Sequence, residues 1–172
     1  MQPDSSDFNG YRRSRPVPAS DIIDWNGGWK TSPLYTPQRA ANTLERAERA
    51  IEELGHGKDF IIVYYGSDYA GGWQSLDAPL RTITTLDRFA LAIFRNGEYR
   101  MRMLQPVELL KAMGAEGHSL NFGNRRDKVK LCGNGVCSTS MEIIFREISQ
   151  RMKSGAPDQV CNDGRNSRAC NL

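Results

Sequence analysis

The sequence predicts a mixed α/β fold, an α+β arrangement in which a small, mostly antiparallel β region precedes several helices. Residues 60–65 form a β-branched and aromatic run, which is typical of a strand. The runs 89–94 and 99–104 flank Asn96-Gly97, the dipeptide that most strongly favours a tight β-hairpin. Apolar residues at helical spacing before and after these strands predict the accompanying helices.

Length and composition set the outer limits on the protein class. At 172 residues with 39% apolar content, the chain can hold one ordinary domain, or a small domain plus part of another. A net charge of +3 permits nucleic-acid binding without arguing for it. No signal peptide is evident, and no apolar run approaches the roughly 20 residues needed to span a bilayer. We therefore expect a cytoplasmic protein with no membrane contact.

The cysteines are expected to be free thiols, because such a compartment is reducing. Their spacing, C-x4-C followed by C-x8-C, lacks the C-x2-C pair of common zinc sites. We therefore predict no metal site for the four cysteines, which are Cys132, Cys137, Cys161 and Cys170.

The amino-terminal part begins with a polar, proline-containing stretch, residues 1–20, which predicts a tail or linker. Residues 21–25 form a short apolar island, either a strand end or a single turn. A helix is predicted over 36–54, because Thr36 can cap it and the following proline suits its first turn. Gly55 then ends this helix. Its apolar face consists of Leu44, Ala47, Ile51 and Leu54.

The segment after the predicted hairpin returns to helical periodicity. Gln105-Pro106 is predicted to open a helix of about ten residues that ends near Gly114. A polar loop then leads to a glycine-bracketed turn at 133–135. Loop glycines usually serve the backbone, so this turn on its own is most simply a connection to the next helix.

The last helix is predicted from near Ser138 to Gly155. Thr139 and Glu142 have the spacing of a capping box at its start. Residues 156–172 are expected to form a disordered tail. The helix carries an apolar stripe for burial, which the isolated chain should expose in part: Met141, Ile144, Phe145, Ile148 and Met152.

Two segments in this half resemble the last two conserved blocks of DNA (cytosine-5) methyltransferases. The first reads Arg102-Met103-Leu104-Gln105-Pro106-Val107-Glu108, against a family pattern of roughly Arg-x-Leu-Thr-x-Arg-Glu-x-x-Arg-Leu-Gln-Gly. The second follows about thirty residues later as Lys130-Leu131-Cys132-Gly133-Asn134-Gly135-Val136, against Lys-Gln-x-Gly-Asn-x-Val-Pro. Upstream, residues 79–91 look like the end of that family's target-recognition region.

The resemblance covers roughly residues 12–150 and implies a division of labour along the chain. Residues 21–101 would form the target-recognition region. Residues 102–155 would supply helices from the edge of a Rossmann-like catalytic domain. The tails at 1–20 and 156–172 would lie outside both parts.

The second block implies an edge of the S-adenosylmethionine pocket. The positions that carry over from the family are Asn134, Gly135 and Val136. Cys137 and Ser138 replace the usual prolines and Leu131 replaces the glutamine, so the rigidity of this loop departs from the family pattern.

The first block implies a scaffold that holds the recognition region against the catalytic domain. It matches the family at Arg102, Leu104, Glu108, Lys111 (for arginine) and Gly114, and departs from it at Gln105, Val107 and Met113. A contact between Arg102 and Glu108 would brace the two parts. An amphipathic helix that simply packs after a strand explains the same residues.

DNA contacts are expected around the threonine-rich segment that precedes the hairpin. Hydroxyl groups and arginines can contact phosphates and base edges. A plain strand edge is the competing interpretation, since threonine favours β structure. The candidate DNA-binding residues are Arg81, Thr82, Thr84, Thr85 and Arg88, together with Trp73 from the preceding loop.

The family's catalytic blocks are missing from this sequence. It contains no Pro-Cys pair, no Glu-Asn-Val and no glycine-rich turn after an early strand. We therefore assign no catalytic residue. By resemblance, the whole enzyme flips a cytosine out of double-stranded DNA, a cysteine thiolate adds to the ring, and the activated carbon takes a methyl group from S-adenosylmethionine.

The expected partners follow from the absence of the catalytic blocks. One is double-stranded DNA, and another is the missing amino-terminal catalytic half, encoded in the same gene or as a separate subunit. Self-association through the last helix is a third. Such enzymes are common in prophages and restriction–modification systems, which implies a bacterial or phage-encoded protein. The alternative is a non-catalytic remnant that at most binds DNA.

Overall fold

The computed structural model describes residues 7–8, 11–12, 16–65 and 72–154. Two compact units divide the chain between Ser138 and Thr139. In chain order the elements are β1 (Asp7–Phe8), β2 (Tyr11–Arg12), α1 (Ala19–Ile22), β3 (Ser32–Pro33), α2 (Ala41–Leu54), β4 (Phe60–Val63), β5 (Trp73–Ser75), β6 (Phe89–Arg95), β7 (Glu98–Met103), α3 (Pro106–Ala112), α4 (Arg125–Asn134) and α5 (Ser138–Ser154).

A five-stranded antiparallel sheet organises the first unit, with strand order β3-β7-β6-β4-β5. The short strands β1 and β2 pair separately with each other. All four residues of β4 are buried, because their apolar side chains meet cores on both faces of the sheet. The α/β class predicted from sequence is therefore found, with antiparallel strands as expected.

The β6–β7 hairpin forms where Asn96-Gly97 predicts it. Asn96 has φ 53° and Gly97 has φ 83°, so both residues adopt the left-handed backbone that a type I′ turn requires. Each strand runs one residue closer to the turn than expected, ending at Arg95 and resuming at Glu98.

Strand alternation separates two cores. On one face, side chains of the sheet pack beneath α2; these residues include Phe60, Ile62, Ala90, Ala92, Tyr99 and Met101, with Ala47 and Ala50 from the helix. On the other face they pack with residues of α1, α3 and α4; these include Ile61, Val63, Phe89 and Leu91, with Ile22, Leu109 and Val129 from the helices. The second face also receives the connection between β5 and β6.

Helix α2 begins at Ala41, so the predicted start at Thr36 is wrong. Leu34 donates its amide to Tyr99 O at 2.8 Å and lies fully buried beside β7. The chain must turn back from this sheet edge before a helix can start. Arg39 holds the turn by donating its guanidinium to backbone carbonyls of the same segment. Gly55 ends the helix, as predicted, with φ 91°.

Helix α4 occupies much of the predicted loop before residue 133, which corrects that expectation. Asn124 and Asp127 form a reciprocal capping box, with the Asp127 amide donating to Asn124 Oδ1 at 3.1 Å and the Asn124 amide to Asp127 Oδ2 at 3.0 Å. Val129 and Cys132 bury one side of the helix. Asn134 is consequently the last helical residue instead of the centre of a turn.

The structure bears differently on the two predicted tails and on the predicted boundary between the recognition region and the carboxyl-terminal helices. The predicted tail at 1–20 overlaps β1, β2 and the start of α1, where Ala19 is fully buried. The predicted tail at 156–172 lies outside the described residues. The functional boundary at 101/102 falls inside β7, so both sides of it share one sheet; the division of function itself stays a prediction.

The Arg102–Glu108 contact forms as a buried, two-pronged ion pair. Arg102 Nη1 donates to Glu108 Oε2 at 2.8 Å, and Nη2 donates to Oε1 at 2.6 Å. The same carboxylate accepts the backbone amides of Asp24 at 2.9 Å and Gln105 at 2.6 Å. The Glu108 side chain thus joins β7, the start of α3 and the segment after α1 through hydrogen bonds.

Helix α5, taken by itself, is a 17-residue helix with two i,i+4 ion pairs, Glu142–Arg146 and Glu147–Arg151. Most of its apolar stripe is exposed, as expected for the isolated chain: Ile144 49%, Phe145 59%, Ile148 47% and Met152 79%. Its predicted end at Gly155 lies outside the described residues. Among the helices of the described ranges, none is both long and apolar enough to cross a membrane.

We predict that Glu108→Gln destabilises the protein by about 3–5 kcal/mol, because it leaves the Arg102 cation buried without a counter-charge. The matched control is Glu98→Gln, which removes an exposed ion pair with Arg100 and should cost less than about 1 kcal/mol. Urea denaturation measures both free energies of unfolding. Equal losses in the two variants would contradict the prediction.

Candidate nucleic-acid interface and cofactor edge

The segment of residues 79–88, here called the strap, connects β5 to β6 and carries five of the six predicted DNA contacts. Leu80 and Ile83 pack against the core that α1, α3 and α4 share with the sheet. The intervening Thr82 is exposed. The strap therefore lies along one face of the sheet, with Leu80 and Ile83 directed inward and Thr82 exposed.

Gln74 anchors the start of the strap. It pairs with Ile61 across β4 and β5, so its side chain lies on the same face as that residue. Its Nε2 donates to Pro79 O at 3.2 Å, and its Oε1 accepts the Arg81 amide at 3.1 Å. The side chain is 5% exposed, which makes these buried hydrogen bonds costly to lose.

Tyr65 and Tyr64 hold the rest of the strap near the end of β4. The Tyr65 hydroxyl donates to Thr82 O at 2.7 Å, and burial raises the pKa of this phenol against the opposing effect of nearby Arg81. Arg88 Nη1 donates to Tyr64 O at 3.1 Å. Both predicted arginine contacts are half-buried, so they also serve the local structure.

The three predicted threonines differ in their surroundings. The Thr84 hydroxyl donates to Leu86 O at 3.1 Å and accepts the Leu86 amide at 3.4 Å, so it is occupied within a local turn. Thr85 is half-buried and Thr82 is exposed. Thr82 is consequently the threonine best placed to meet a ligand.

Trp73 is not brought together with the strap residues. It pairs with Ile62 in the β4–β5 register, and its indole packs against the core beneath α2. Because side chains alternate along β5, Trp73 and Gln74 lie on opposite faces of the sheet. A role in DNA contact would therefore be separate from the strap.

Helix α4 crosses the strap at Gly133. A Cβ atom there would stand 2.3 Å from the carbonyl carbon and oxygen of Thr84 and 2.4 Å from the amide nitrogen of Thr85. Only glycine allows this approach of helix to strap backbone. The contact joins the threonine run to the segment that resembles the cofactor block.

Arg125 also ties α4 to the strap, and sequence reasoning missed it. Its Nε donates to Asp87 Oδ2 at 2.7 Å, its Nη1 to Gln105 Oε1 at 3.0 Å and its Nη2 to Leu104 O at 2.5 Å. Gln105 in turn donates its amide to Glu108. One polar network thus runs from the strap to the buried ion pair.

The predicted cofactor-binding positions comprise the last residue of α4 and the two residues that follow it. Asn134, Gly135 and Val136 are all exposed, and Val136 reaches 66%. Ser138 fastens the following turn by donating its amide to Met113 O at 3.0 Å. The segment thus presents an amide side chain, a glycine and an apolar side chain to solvent.

Cys132 is poorly suited to nucleophilic chemistry. Burial raises the pKa of the Cys132 thiol, and its Sγ donates to Pro106 O at 3.7 Å. A nucleophilic cysteine needs the opposite shift. Cys137 is half-buried, and neither forms a disulfide. In the part of the chain that the structure describes, no three metal-ligating side chains are grouped to hold an ion.

Comparison with known proteins finds similarity to a phage methyltransferase. Over 77 residues, 42% of this chain, the sequence is 35% identical to the orphan methyltransferase M.Rho11sI of Bacillus phage rho11s. The matched stretch spans 15% of that protein's length. No protein-family model and no solved structure matches the chain. The similarity agrees with the methyltransferase class that the sequence blocks imply.

We predict that Gly133→Ala costs about 1–3 kcal/mol of stability, because the new methyl group collides with strap backbone that cannot move freely. Gly117→Ala is the matched control, since its Cβ would meet nothing within 4 Å. Urea denaturation gives both free energies, and hydrogen exchange at the Arg81 amide reports displacement of the strap. An undisturbed Gly133→Ala protein would contradict the close contact.

Proposed function

We propose that this chain is the carboxyl-terminal portion, or a separate subunit, of a DNA (cytosine-5) methyltransferase. It supplies target recognition and one edge of the S-adenosylmethionine pocket. The observation that carries the proposal is the contact of Gly133 with Thr84 and Thr85. A DNA-reading strap and a cofactor edge must be held in fixed relation if a base is to be modified at a chosen site.

Two further observations support this proposal. The buried Arg102–Glu108 pair has the bracing contact that the family resemblance implies. The 35% identity with a phage orphan methyltransferase over 77 residues supports the broader methyltransferase class. The match spans only 15% of that protein. The methyl-transfer activity of a whole enzyme that contains this chain is therefore part of the proposal.

DNA recognition is assigned to the strap. Thr82 presents an exposed hydroxyl that can donate to or accept from a base edge. Arg81 and Arg88 lie on the same segment and can contact phosphates, which fix the position of the protein on the duplex. Thr85 borders the junction with α4 and completes this surface.

The cofactor edge is assigned to Asn134, Gly135 and Val136. The Asn134 amide can both donate and accept hydrogen bonds, and Val136 offers an apolar contact. These groups fit one side of S-adenosylmethionine, which supplies the activated methyl group when bound. The rest of the pocket is expected from a Rossmann-like domain in the missing half.

That missing half also supplies the covalent nucleophile. Burial raises the pKa of the Cys132 thiol, and no Pro-Cys pair occurs in the sequence. The exposed stripe of α5 gives the missing half an apolar surface to cover. A non-catalytic DNA-binding remnant is the second candidate; it shares the strap but would gain no activity from a catalytic partner.

We predict that the chain alone transfers no methyl group to duplex DNA, and that adding the missing half restores transfer. A radiolabelled methyl assay measures incorporation, with S-adenosylhomocysteine as inhibitor and Asn134→Ala as control variant. Incorporation by the chain alone that both controls abolish would overturn the assignment. A mixture that stays inactive while still binding DNA would favour the remnant.

We predict that Thr82→Val weakens binding of the reassembled enzyme to its own site by about 1–3 kcal/mol and relaxes specificity at one base pair. Arg81→Gln should instead weaken binding to specific and scrambled sites alike, lowering the salt slope by about one unit. The control is Thr36→Val, which lies before α2. Fluorescence anisotropy at two salt concentrations measures all four proteins, and unchanged affinities would place recognition outside the strap.

A further inference from the structure

We propose that one ridge of α4, formed by Arg126 and Lys130, binds phosphates of the DNA backbone beside the strap. The inference rests on the proposed function and extends its interface to a helix that sequence reasoning left as a loop. The ligand chemistry is the phosphodiester of a nucleic-acid strand.

Positive charge is concentrated on α4. Its ten residues include four basic side chains and one acidic one, a net charge of +3, which equals that of the whole 172-residue chain. Helix α2, on the opposite face of the sheet, carries four glutamates against two arginines. A polyanion approaching this unit would therefore be drawn to the α4 side.

Within α4, Arg126 and Lys130 are the two exposed cations, whereas Arg125 and Lys128 are half-buried. Arg125 is paired with Asp87, and the Asp127 carboxylate accepts the Asn124 amide in the capping box. Arg126 and Lys130 are exposed, and neither forms a salt bridge with any residue that the structure describes. Charges without counter-ions of their own are the groups that gain most from neutralising phosphates.

A cleft between the strap and α4 gives these charges a place to act. It has a volume of about 330 Å³ and is lined by Thr85, Leu86, Asn124, Arg126, Asp127 and Lys130. Strap and helix thus contribute to the same concavity, so a strand that contacts the strap passes the two cations.

The spacing along the ridge also suits a strand. Arg126 and Lys130 are four residues apart, so their Cβ atoms are separated by about 6 Å on one side of the helix. Their long side chains can reach neighbouring phosphates. The next residue on that ridge is Asn134, at the proposed cofactor edge. The ridge therefore leads from the strap toward the pocket.

The test is binding of the full chain to a mixed-sequence DNA duplex, measured by fluorescence anisotropy between about 50 and about 200 mM salt. Arg126→Gln and Lys130→Gln should each lower the salt slope by about one unit, and the double variant by about two. Glutamine keeps helix propensity, and both sites are exposed, so folding should be unaffected.

The matched control is the double variant Arg49→Gln with Lys58→Gln, which removes one arginine and one lysine elsewhere on the first unit. Its salt slope should stay at the wild-type value. If the two double variants lowered the salt slope equally, the effect would depend only on net charge, and the inference would be overturned. Wild-type binding that survives unchanged in Arg126→Gln with Lys130→Gln would overturn the inference alone. Absence of wild-type binding would overturn the proposed function as well.

Discussion

The buried carboxylate of Glu108 is the constraint on which the first unit depends. A charge that is 1% exposed needs donors on every side, because an unmatched one would cost several kcal/mol. The Arg102 guanidinium and two backbone amides supply them, and so fix β7, α3 and the segment after α1 relative to one another. Through Gln105 and Arg125 the same network reaches Asp87, at the end of the strap. The position of the proposed reading surface thus depends on a carboxylate that is buried away from solvent.

Local chemistry explains the parts of the fold that sequence alone predicts. Asn96-Gly97 specifies its hairpin because only a few residue types accept the left-handed backbone of that turn. The four-residue strand β4 is recognisable because it is apolar on both faces. The start of α2 depends instead on Leu34 reaching β7, a contact across the sheet that periodicity does not encode. Helix α4 was missed since its polar residues suggest a loop, although the Asn124–Asp127 spacing is a helix-start signal.

In the candidate site too, local sequence patterns predict some features, whereas others depend on contacts between distant residues. The strap residues were identifiable as a group because they follow one another in sequence, and the Arg102–Glu108 contact because the residues stand six positions apart. The placement of Trp73 on the other face follows from the β4–β5 register, which is a pairing between distant residues. Arg125 and Asp87 are 38 residues apart, and no local pattern links them. Gly133 likewise looked like a turn residue until a helix brought it against the strap.

The way the strap is attached has a consequence for which of its side chains can be exchanged. Gln74 binds the carbonyl of Pro79 and the amide of Arg81, Tyr65 binds the carbonyl of Thr82, and Gly133 packs on the main chain of Thr84. These attachments use main-chain groups of the strap and not its side chains, whereas Asp87 joins the strap to Arg125 through its carboxylate. Side chains at the outward positions can therefore be exchanged while the path of the segment is retained. In the proposed DNA-reading role, the target sequence would then be changed by substitutions at these positions alone, with the scaffold beneath the strap retained.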